Sequence, residues 1–159
     1  MFRFVNMKNV ALENIFTEAY YAQIKTEKVS GRYVTNLHLE NFKTDLSSDF
    51  KIDVIGKSVQ GKPVRLITFG KGEIKILAWS QMHGNEGTTT KAVFDLLNAI
   101  NKNEEDPVLS DIIDRCTIYI IPILNPDGAE AYTRVNANEV DLNRDMQDLS
   151  QPESQILMK

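Results

Sequence analysis

Residues 74–79 read IKILAW, residues 88–101 read TTTKAVFDLLNAIN, and residues 116–121 read CTIYII. The first and third stretches are short apolar runs, which are typical of buried β-strands. The middle stretch repeats its apolar residues at helical spacing. A strand, a helix and a second strand in this order predict a βαβ unit with a parallel strand pair. We therefore expect residues 74–79 to form an inner strand of an α/β sheet.

Two further strands are predicted upstream of this unit. Residues 51–58 and 63–69 alternate apolar and polar side chains on either side of a short turn, which predicts a β-hairpin at the sheet edge. Together these patterns predict an α/β fold with a mixed, mostly parallel sheet flanked by helices. Residues 151–159 begin like a helix, and the chain ends after about two turns of it. We therefore expect a domain that is incomplete at its carboxyl end.

The first 48 residues differ from the rest of the chain. Apolar residues between positions 9 and 26 recur at helical spacing, which predicts an amphipathic helix that packs by one face. Residues 29–48 show no sustained period, so we interpret them as a connector. The chain is thus divided into an amino-terminal helix and connector (1–48) and an α/β domain (49–159).

The composition excludes several classes of protein. The chain has 159 residues and a formal charge of -4 without a basic run, which argues against binding to nucleic acid or an anionic membrane. Cys116 is the only cysteine, so an intrachain disulfide and a cysteine zinc cluster are both excluded. The first ten residues lack the continuous apolar core of a signal peptide, and no stretch is long enough to span a membrane. These features predict a cytoplasmic protein.

The residues directly after the first strand carry a candidate metal site. His83 and Glu86 are three positions apart, so both side chains can lie on one side of a single helical turn. Zinc favours imidazole nitrogen and carboxylate oxygen as ligands. This spacing also occurs in many surface and capping pairs, so the interpretation depends on the rest of the pattern.

The loop after the second strand of the unit completes that pattern. Residues 125–128 (Asn-Pro-Asp-Gly) suit a tight turn. Residues 141–144 (Asp-Leu-Asn-Arg) place an amide beside a guanidinium, which can hold a carboxylate by forked hydrogen bonds. Arg134 adds a further cation. Because both loops follow predicted parallel strands, we expect them to meet in one crevice at the carboxyl ends of those strands.

The motifs at residues 83–86, 125–128 and 141–144, with Arg134 between the last two, resemble the amino-terminal half of a zinc carboxypeptidase. The family is that of the carboxypeptidase A type, also called the funnelin or M14 family. The resemblance covers residues 51–159, and residues 1–48 show no family signal. It implies a phosphorylase/hydrolase-like three-layer α/β/α fold, a zinc cofactor, and a peptide substrate with a free carboxyl terminus.

The resemblance also assigns roles to five residues. His83 and Glu86 would be two of the three zinc ligands. Arg134 would polarise the scissile carbonyl and stabilise the oxyanion, which is catalysis by a preorganised positive charge. Asn143 and Arg144 would bind the terminal carboxylate of the substrate and so position its last peptide bond.

Two members of the expected catalytic set are missing. The third zinc ligand of the family is a histidine beyond Arg144, and its general base is a glutamate further still, but no histidine follows Arg144 here. His38 precedes the motifs, and we expect it to be a surface or packing residue. Glu139 and Glu153 are expected to be solvated surface acids. The resemblance therefore implies a metallocarboxypeptidase parent and an isolated chain with little or no activity.

Other functions are compatible with parts of the pattern. An N-acyl amino acid deacylase of the succinylglutamate desuccinylase and aspartoacylase type resembles the same scaffold, although the Asn-Pro-Asp-Gly sequence favours the peptidase. A non-catalytic domain could bind peptide carboxyl termini through Asn143 and Arg144. An α/β domain with coincidental matches is disfavoured by four motif pieces in the right order. An incomplete sheet would also leave an exposed edge, which favours self-association.

Overall fold

The computed structural model describes residues 17–102 and 106–158. In this part of the chain, four strands form one sheet: β1 (Lys51–Lys57), β2 (Pro63–Phe69), β3 (Ile74–Trp79) and β4 (Cys116–Ile121). The strand order is β1-β2-β4-β3, with β3 and β4 parallel and the other two pairs antiparallel. The mixed sheet, the edge hairpin and the parallel pair are confirmed. The parallel share among these strands is smaller than predicted, because β2 of the hairpin lies antiparallel against β4.

Seven α-helices flank the sheet in the described residues. They are α1 (Glu18–Ile24), α2 (Asn36–Phe42), α3 (Thr88–Lys102), α4 (Pro107–Arg115), α5 (Pro126–Ala131), α6 (Leu142–Asp145) and α7 (Pro152–Leu157), and a 3-10 turn covers Lys43–Asp45. The side chain of Asp106 accepts hydrogen bonds from the first amides of α4 and so fixes its start. α3 and α4 together connect β3 to β4, which makes the predicted βαβ crossover. None of the described helices is long and apolar enough to cross a membrane.

The main core lies between one face of the sheet and helices α2 and α3. The rings of Phe42 on α2 and Phe94 on α3 are 4.9 Å apart, and both side chains are buried. The interpretation of residues 29–48 as a connector is therefore wrong for residues 36–42, which form a core helix. A helix of two turns is too short to show a clear period. His38 stabilises its start, because its Nδ1 accepts the Thr35 amide at 3.1 Å.

The amino-terminal helix is shorter in the described residues than the predicted range of 9–26. Residues 9–16 of that range lie outside the part of the chain that the structure describes. Helix α1 begins after Thr17, whose hydroxyl accepts the Tyr20 amide at 3.2 Å. Asp95 on α3 holds the segment in place, since its carboxylate accepts the Thr26 amide at 2.8 Å and the Tyr21 hydroxyl at 3.1 Å.

Strand β3 is at the edge of the sheet in the described residues, so the prediction of an inner strand is wrong there. β4 pairs with one side of β3, and no described strand pairs with the other side. Its side chains Ile74, Ile76, Leu77 and Trp79 are 41–50% exposed. The sequence predicted an inner strand because these apolar residues alternate onto both faces, a pattern that does not identify which neighbour covers them.

The second face of the sheet is covered at one end by α7, as the helical start of residues 151–159 predicted. Ile156 on this helix packs in a second cluster of buried apolar residues, which consists of Val64, Ile121, Leu124, Leu142 and Ile156. The helix begins with Pro152 at its first position, where a missing amide costs nothing. This face positions the loop that follows β4, because Leu124 and Leu142 belong to it, and Met82 of the loop after β3 packs against the same cluster.

Candidate functional site

The loops that follow β3 and β4 lie side by side. Backbone hydrogen bonds join Ser80 to Ile121 at 2.9 Å, Leu124 to Ser80 at 3.1 Å, and Asn125 to the carbonyl of Gln81 at 3.1 Å. The parallel pair therefore continues past the ends of its strands. This confirms the expectation that both motif loops meet at the carboxyl ends of β3 and β4.

The motif around His83 packs directly on residues 125–128. A Cβ atom on Gly84 would lie 1.9 Å from the carbonyl carbon of Gly128, so only glycine allows this approach. The amide of Asn85 donates to the carbonyl of Thr133 at 3.1 Å and fixes the next residue of the same loop. The glycine in the first motif is thus required by the second motif.

Residues 125–128 begin helix α5 rather than form the predicted tight turn. The buried side chain of Asn125 accepts the amide of Gly128 at 2.8 Å, which caps the helix, and Pro126 occupies its first position. Proline at the second place of a turn and at the first place of a helix has the same φ, so the four residues alone do not separate the two. In the structure these residues form the capped helix, and Gly84 packs against its Gly128.

His83 lies between two carboxylates. Its Nδ1 is 3.1 Å from Oε1 of Glu86, and its Nε2 is 3.0 Å from Oδ1 of Asp141. In the tautomer that carries its proton on Nε2, His83 donates to the Asp141 carboxylate and leaves Nδ1 as the nitrogen that can bind a metal. A second carboxylate that fixes the ring orientation and tautomer is the usual support of a metal-binding histidine.

The pair formed by His83 and Glu86 fits a shared zinc ion. Nδ1 of His83 and Oε1 of Glu86 face each other, and an imidazole nitrogen and a carboxylate oxygen are both ligands that zinc prefers. Two ligands of a tetrahedral zinc ion, each about 2.0–2.1 Å from it, lie roughly 3.3 Å apart. The separation of 3.1 Å agrees with that geometry.

The third protein ligand is not found among the described residues. Within residues 17–102 and 106–158, no set of three histidine, cysteine, aspartate or glutamate side chains converges on one metal position. Asp141 is near but faces the opposite edge of the imidazole ring from Glu86. His38, which was expected to be a surface or packing residue, stabilises the start of α2. The described residues thus fit two of the three ligands that a catalytic zinc site uses.

Arg134 joins the two carboxylates. Its Nε donates to Oδ2 of Asp141 at 3.1 Å, and its Nη1 is 3.3 Å from Oε1 of Glu86. The structure therefore brings together three of the five predicted site residues, His83, Glu86 and Arg134. The side chain of Arg134 is half exposed, so its N–H groups can also reach a molecule in the crevice.

Asp141 is the residue that organises this cluster. One of its oxygens accepts from His83 and from the amide of Asn143, and the other accepts from Arg134. Burial alone would raise the pKa of the Asp141 carboxyl, but the hydrogen bonds from these three groups outweigh it and hold that pKa below its ordinary value. Asp141 is therefore a carboxylate at neutral pH and remains an acceptor for His83.

The predicted carboxylate-binding pair lies in α6, directly after Asp141. The amide of Asn143 donates to the Asp141 side chain, and the side chains of Asn143 and Arg144 are exposed. The next residue, Asp145, is buried and anchors this short helix. Its carboxylate accepts the amides of Ser150 at 3.0 Å and Gln151 at 2.9 Å. Burial alone would raise the pKa of the Asp145 carboxyl, but hydrogen bonds from the Ser150 hydroxyl and from these two amides outweigh it, so its pKa lies below the ordinary value.

Sequence reasoning missed the roles of Asp141, Asp145 and Glu153. The positions of the first two gave a signal, because an aspartate before and at the end of a four-residue helix can cap or anchor it. Glu139 is exposed as predicted. The prediction that Glu153 is a solvated surface acid is wrong, since its carboxylate is fully buried and accepts from the Val59 amide and the Asn136 side chain, each at 3.2 Å. A charged residue in the first turn of a helix gives no sequence sign of such burial.

Comparison with known proteins agrees with this geometry. The sequence profile described as zinc carboxypeptidase, Peptidase M14, matches residues 36–156. The chain belongs to the zinc carboxypeptidase family. The match begins at the start of α2, so the expectation that residues 1–48 carry no family signal is wrong for residues 36–48. Residues 36–42 of this range form the core helix α2.

Relatives within the zinc carboxypeptidase family are similar over most of this chain. Carboxypeptidase SOL1 of Arabidopsis thaliana is 35% identical over 147 residues, which cover 79% of this chain and 30% of that protein. Carboxypeptidase M of Mus musculus is 29% identical, over 76% of this chain and 33% of its own length. The chain thus spans about a third of the length of these relatives.

A solved structure shows the same fold. The metallo-carboxypeptidase from Burkholderia cenocepacia matches with a TM-score of 0.67 at 23% identity, over 79% of this chain and 37% of that one. At this identity the likeness concerns the fold alone. It confirms the predicted class, a mixed sheet flanked by helices, as a zinc carboxypeptidase fold.

Proposed function

We propose that this chain contributes the amino-terminal part of the active site of a zinc-dependent metallocarboxypeptidase, which hydrolyses the last peptide bond of a peptide. The observation that supports this most directly is the approach of His83 Nδ1 to Glu86 Oε1, with the other ring nitrogen held by Asp141. This is the arrangement of two ligands and one orienting carboxylate at a metal centre.

The described residues have distinct tasks in this reaction. Zinc, when bound by His83 and Glu86, polarises a carbonyl group and makes water more acidic. Arg134 donates its N–H groups to the carbonyl oxygen of the terminal peptide bond and stabilises the negative charge that develops there. Asn143 and Arg144 hold the terminal carboxylate, which places the last peptide bond over the metal site.

We also propose that the 159-residue chain alone has little or no peptidase activity. A catalytic zinc site uses three protein ligands, and the described residues offer two. The carboxylates at the site are already engaged, Glu86 as a candidate ligand and Asp141 as the partner of His83. Glu153 is fully buried and bonded to Asn136, so it does not serve as the missing base.

A second candidate is a non-catalytic domain that binds peptide carboxyl termini. Two observations favour this candidate. The described residues supply only two metal ligands, and Arg144 forms no ion pair with any residue in the described ranges, so its guanidinium can bind a carboxylate. Both candidates require carboxylate recognition, whereas only the peptidase requires His83 for its function. No contact in the described residues favours the deacylase over these two.

Binding of a free peptide carboxylate tests the feature that both candidates share. We expect a short acetylated peptide with a free carboxyl terminus to bind the chain with at least about tenfold higher affinity than the same peptide with a terminal amide. The amide has no negative charge and cannot accept two parallel charge-assisted hydrogen bonds from a guanidinium. Replacing Arg144 by glutamine should abolish this difference. Isothermal titration calorimetry measures both affinities, and an assay for released terminal amino acid on the same samples measures hydrolysis.

The matched control is Arg115→Gln, which removes an exposed arginine on α4 that pairs with Asp111. This variant should retain the preference for the free acid. Equal binding of acid and amide by the unaltered chain would contradict carboxylate recognition. Hydrolysis that persists on repurification and is lost with His83→Ala would contradict the proposed inactivity of the isolated chain.

We further propose that the chain self-associates through β3. One side of this edge strand is not paired by any described strand, and its apolar side chains are exposed on both faces. An exposed apolar edge of this kind is a template for pairing with another strand. Antiparallel pairing of β3 with β3 of a second copy would satisfy the backbone groups of both.

The lysine variant Ile76→Lys should weaken self-association by at least about tenfold, because a charge would be placed in the apolar contact. Sedimentation velocity over a range of concentrations measures the monomer fraction. Trp79 is the only tryptophan of the chain and lies on β3, so its emission should shift to shorter wavelength as copies associate. Val54→Lys on β1, where Val54 is also exposed, is the matched control. A monomer at all concentrations would rule the proposal out.

A further inference from the structure

Two of the five arginines that the structure describes form no ion pair. Arg65, Arg115 and Arg134 each contact a carboxylate within 4 Å. Arg32 and Arg144 contact none within residues 17–102 and 106–158. Arg144 is the predicted partner of a substrate carboxylate. Arg32 has the same property and no assigned role.

Arg32 is held in place by aromatic rings. Its guanidinium carbon lies 4.2 Å from the ring centre of Tyr132 and 5.4 Å from that of Tyr33. The two rings are 4.7 Å apart and tilted by 58°, so together they form a surface for the cation. We call these three residues the Arg32 platform. Stacking on aromatic faces restricts the guanidinium and leaves its N–H edge available for hydrogen bonds.

The Arg32 platform is joined to the loop that carries Glu86 by contacts of neighbouring residues. The carbonyl of Val34 accepts the side-chain amide of Gln81 at 2.8 Å, and a Cβ atom on Gly87 would lie 2.9 Å from a methyl group of Val34. On the other side, Tyr132 precedes Thr133, whose carbonyl accepts the amide of Asn85. The platform is thus attached to both sides of the loop that carries Glu86.

The contacts of His83 link the segments of the platform to the segment that carries Arg144. One ring nitrogen faces Asp141, which is the N-cap of α6, the helix that carries Asn143 and Arg144. The other ring nitrogen faces Glu86, whose loop contacts the segments that carry Arg32 and Tyr132. Arg144 and the Arg32 platform thus both lie on segments that contact the loop of His83 and Glu86. In a peptide whose terminal carboxylate is held by Arg144, every residue before the last lies on the amino-terminal side of the bond to be cleaved.

We propose that the Arg32 platform is a subsite for a carboxylate side chain, Asp or Glu, located in the peptide on the amino-terminal side of the bond to be cleaved. This inference rests on the proposed function, because the position of the peptide is set by its terminal carboxylate on Arg144. A planar guanidinium matches a carboxylate with two parallel hydrogen bonds, which a lysine would not reproduce. The tyrosine rings contact the apolar part of the same side chain.

Two acetylated tetrapeptides with free carboxyl termini test the subsite, acetyl-Ala-Glu-Glu-Ala and acetyl-Ala-Gln-Gln-Ala. The two central positions together cover the residues that precede the terminal bond. We expect the 159-residue chain to bind the glutamate peptide about three- to fivefold more tightly at low salt, the range of a well-oriented exposed ion pair. Calorimetric titration measures both affinities, and added salt should reduce their ratio.

Variants separate this subsite from the site at Asn143 and Arg144 that binds the terminal carboxylate. Arg32→Gln should bring the affinity ratio to one and leave binding of the glutamine peptide unchanged. Arg32→Lys should retain part of the ratio, and Arg115→Gln should retain all of it. A ratio of one in the unaltered chain, or an unchanged ratio in Arg32→Gln, would overturn the subsite alone. If the glutamine peptide shows no binding that depends on Arg144, the proposed function and the subsite both fail.

Discussion

Replacing His83 by alanine should remove zinc binding by this chain almost completely. His83 contributes one of two candidate ligand atoms, and its Nδ1 is 3.1 Å from the other, Oε1 of Glu86. Loss of a residue that only orients a ligand already lowers metal affinity by about 10–100-fold, so loss of a ligand should lower it by more than about 100-fold. Equilibrium dialysis with elemental analysis of zinc per chain measures the effect, and a chelator competition gives the affinity.

The other histidine of the chain provides the matched control. His38 is bonded to the backbone of Thr35 at the start of α2, so His38→Ala should retain the zinc affinity of the unaltered chain. An equal loss of zinc in His38→Ala and His83→Ala would show that the measured ion is not bound at the candidate site. Zinc binding that survives His83→Ala would contradict the assignment of His83 as a ligand.

Asp141→Asn should give an intermediate result in the same titration, with zinc affinity about 10–100-fold below that of the unaltered chain. The amide retains an oxygen for the His83 proton, but it loses the negative charge that supports the imidazole and Arg134. The order of affinity should therefore be the unaltered chain, then Asp141→Asn, then His83→Ala. An Asp141→Asn variant with full affinity would mean that ring orientation does not depend on this carboxylate.

Three residues of the site could be predicted from the sequence, and two others could not. His83, Glu86 and Arg134 could be predicted because they lie in the loops that begin at the carboxyl ends of two parallel strands, where such sheets bind their ligands. The contact of Asp141 with His83 could not be predicted. The two residues are 58 positions apart in the sequence, and their contact depends on the path of the loop after β4. The buried position of Glu153 depends in the same way on the hairpin turn that donates the Val59 amide.

The limits of prediction for the fold have a similar origin. The sequence of β3 indicates that its side chains are apolar on both faces. Its place in the sheet depends on which strands pair with it. Residues 36–42 form only two helical turns, too few for a period to be distinguished from chance. In contrast, α3 has fifteen residues, and its apolar side chains recur at helical spacing over its length, so its existence and position could be predicted.

Asp127→Ala should lower the free energy of unfolding by about 3 kcal/mol. The Asp127 side chain is 2% exposed and accepts the Ser58 hydroxyl at 2.9 Å and the Gln60 amide at 3.0 Å. It also pairs with Lys62 at 3.1 Å. Alanine would leave these donors at the β1–β2 turn without their acceptor. Chemical denaturation followed by circular dichroism measures the loss.

Glu130 offers the matched control. It contacts the same lysine, Lys62, at 3.3 Å, and its side chain is 49% exposed. Glu130→Ala removes an ion pair in water and should change the stability by less than about 0.5 kcal/mol. Equal losses in the two variants would contradict anchorage of the hairpin by a buried carboxylate. Since Asp127 precedes Gly128, on which Gly84 packs, a loosened turn should also weaken zinc binding at His83. Asp127→Ala is therefore expected to lower both stability and zinc affinity, whereas Glu130→Ala should change neither.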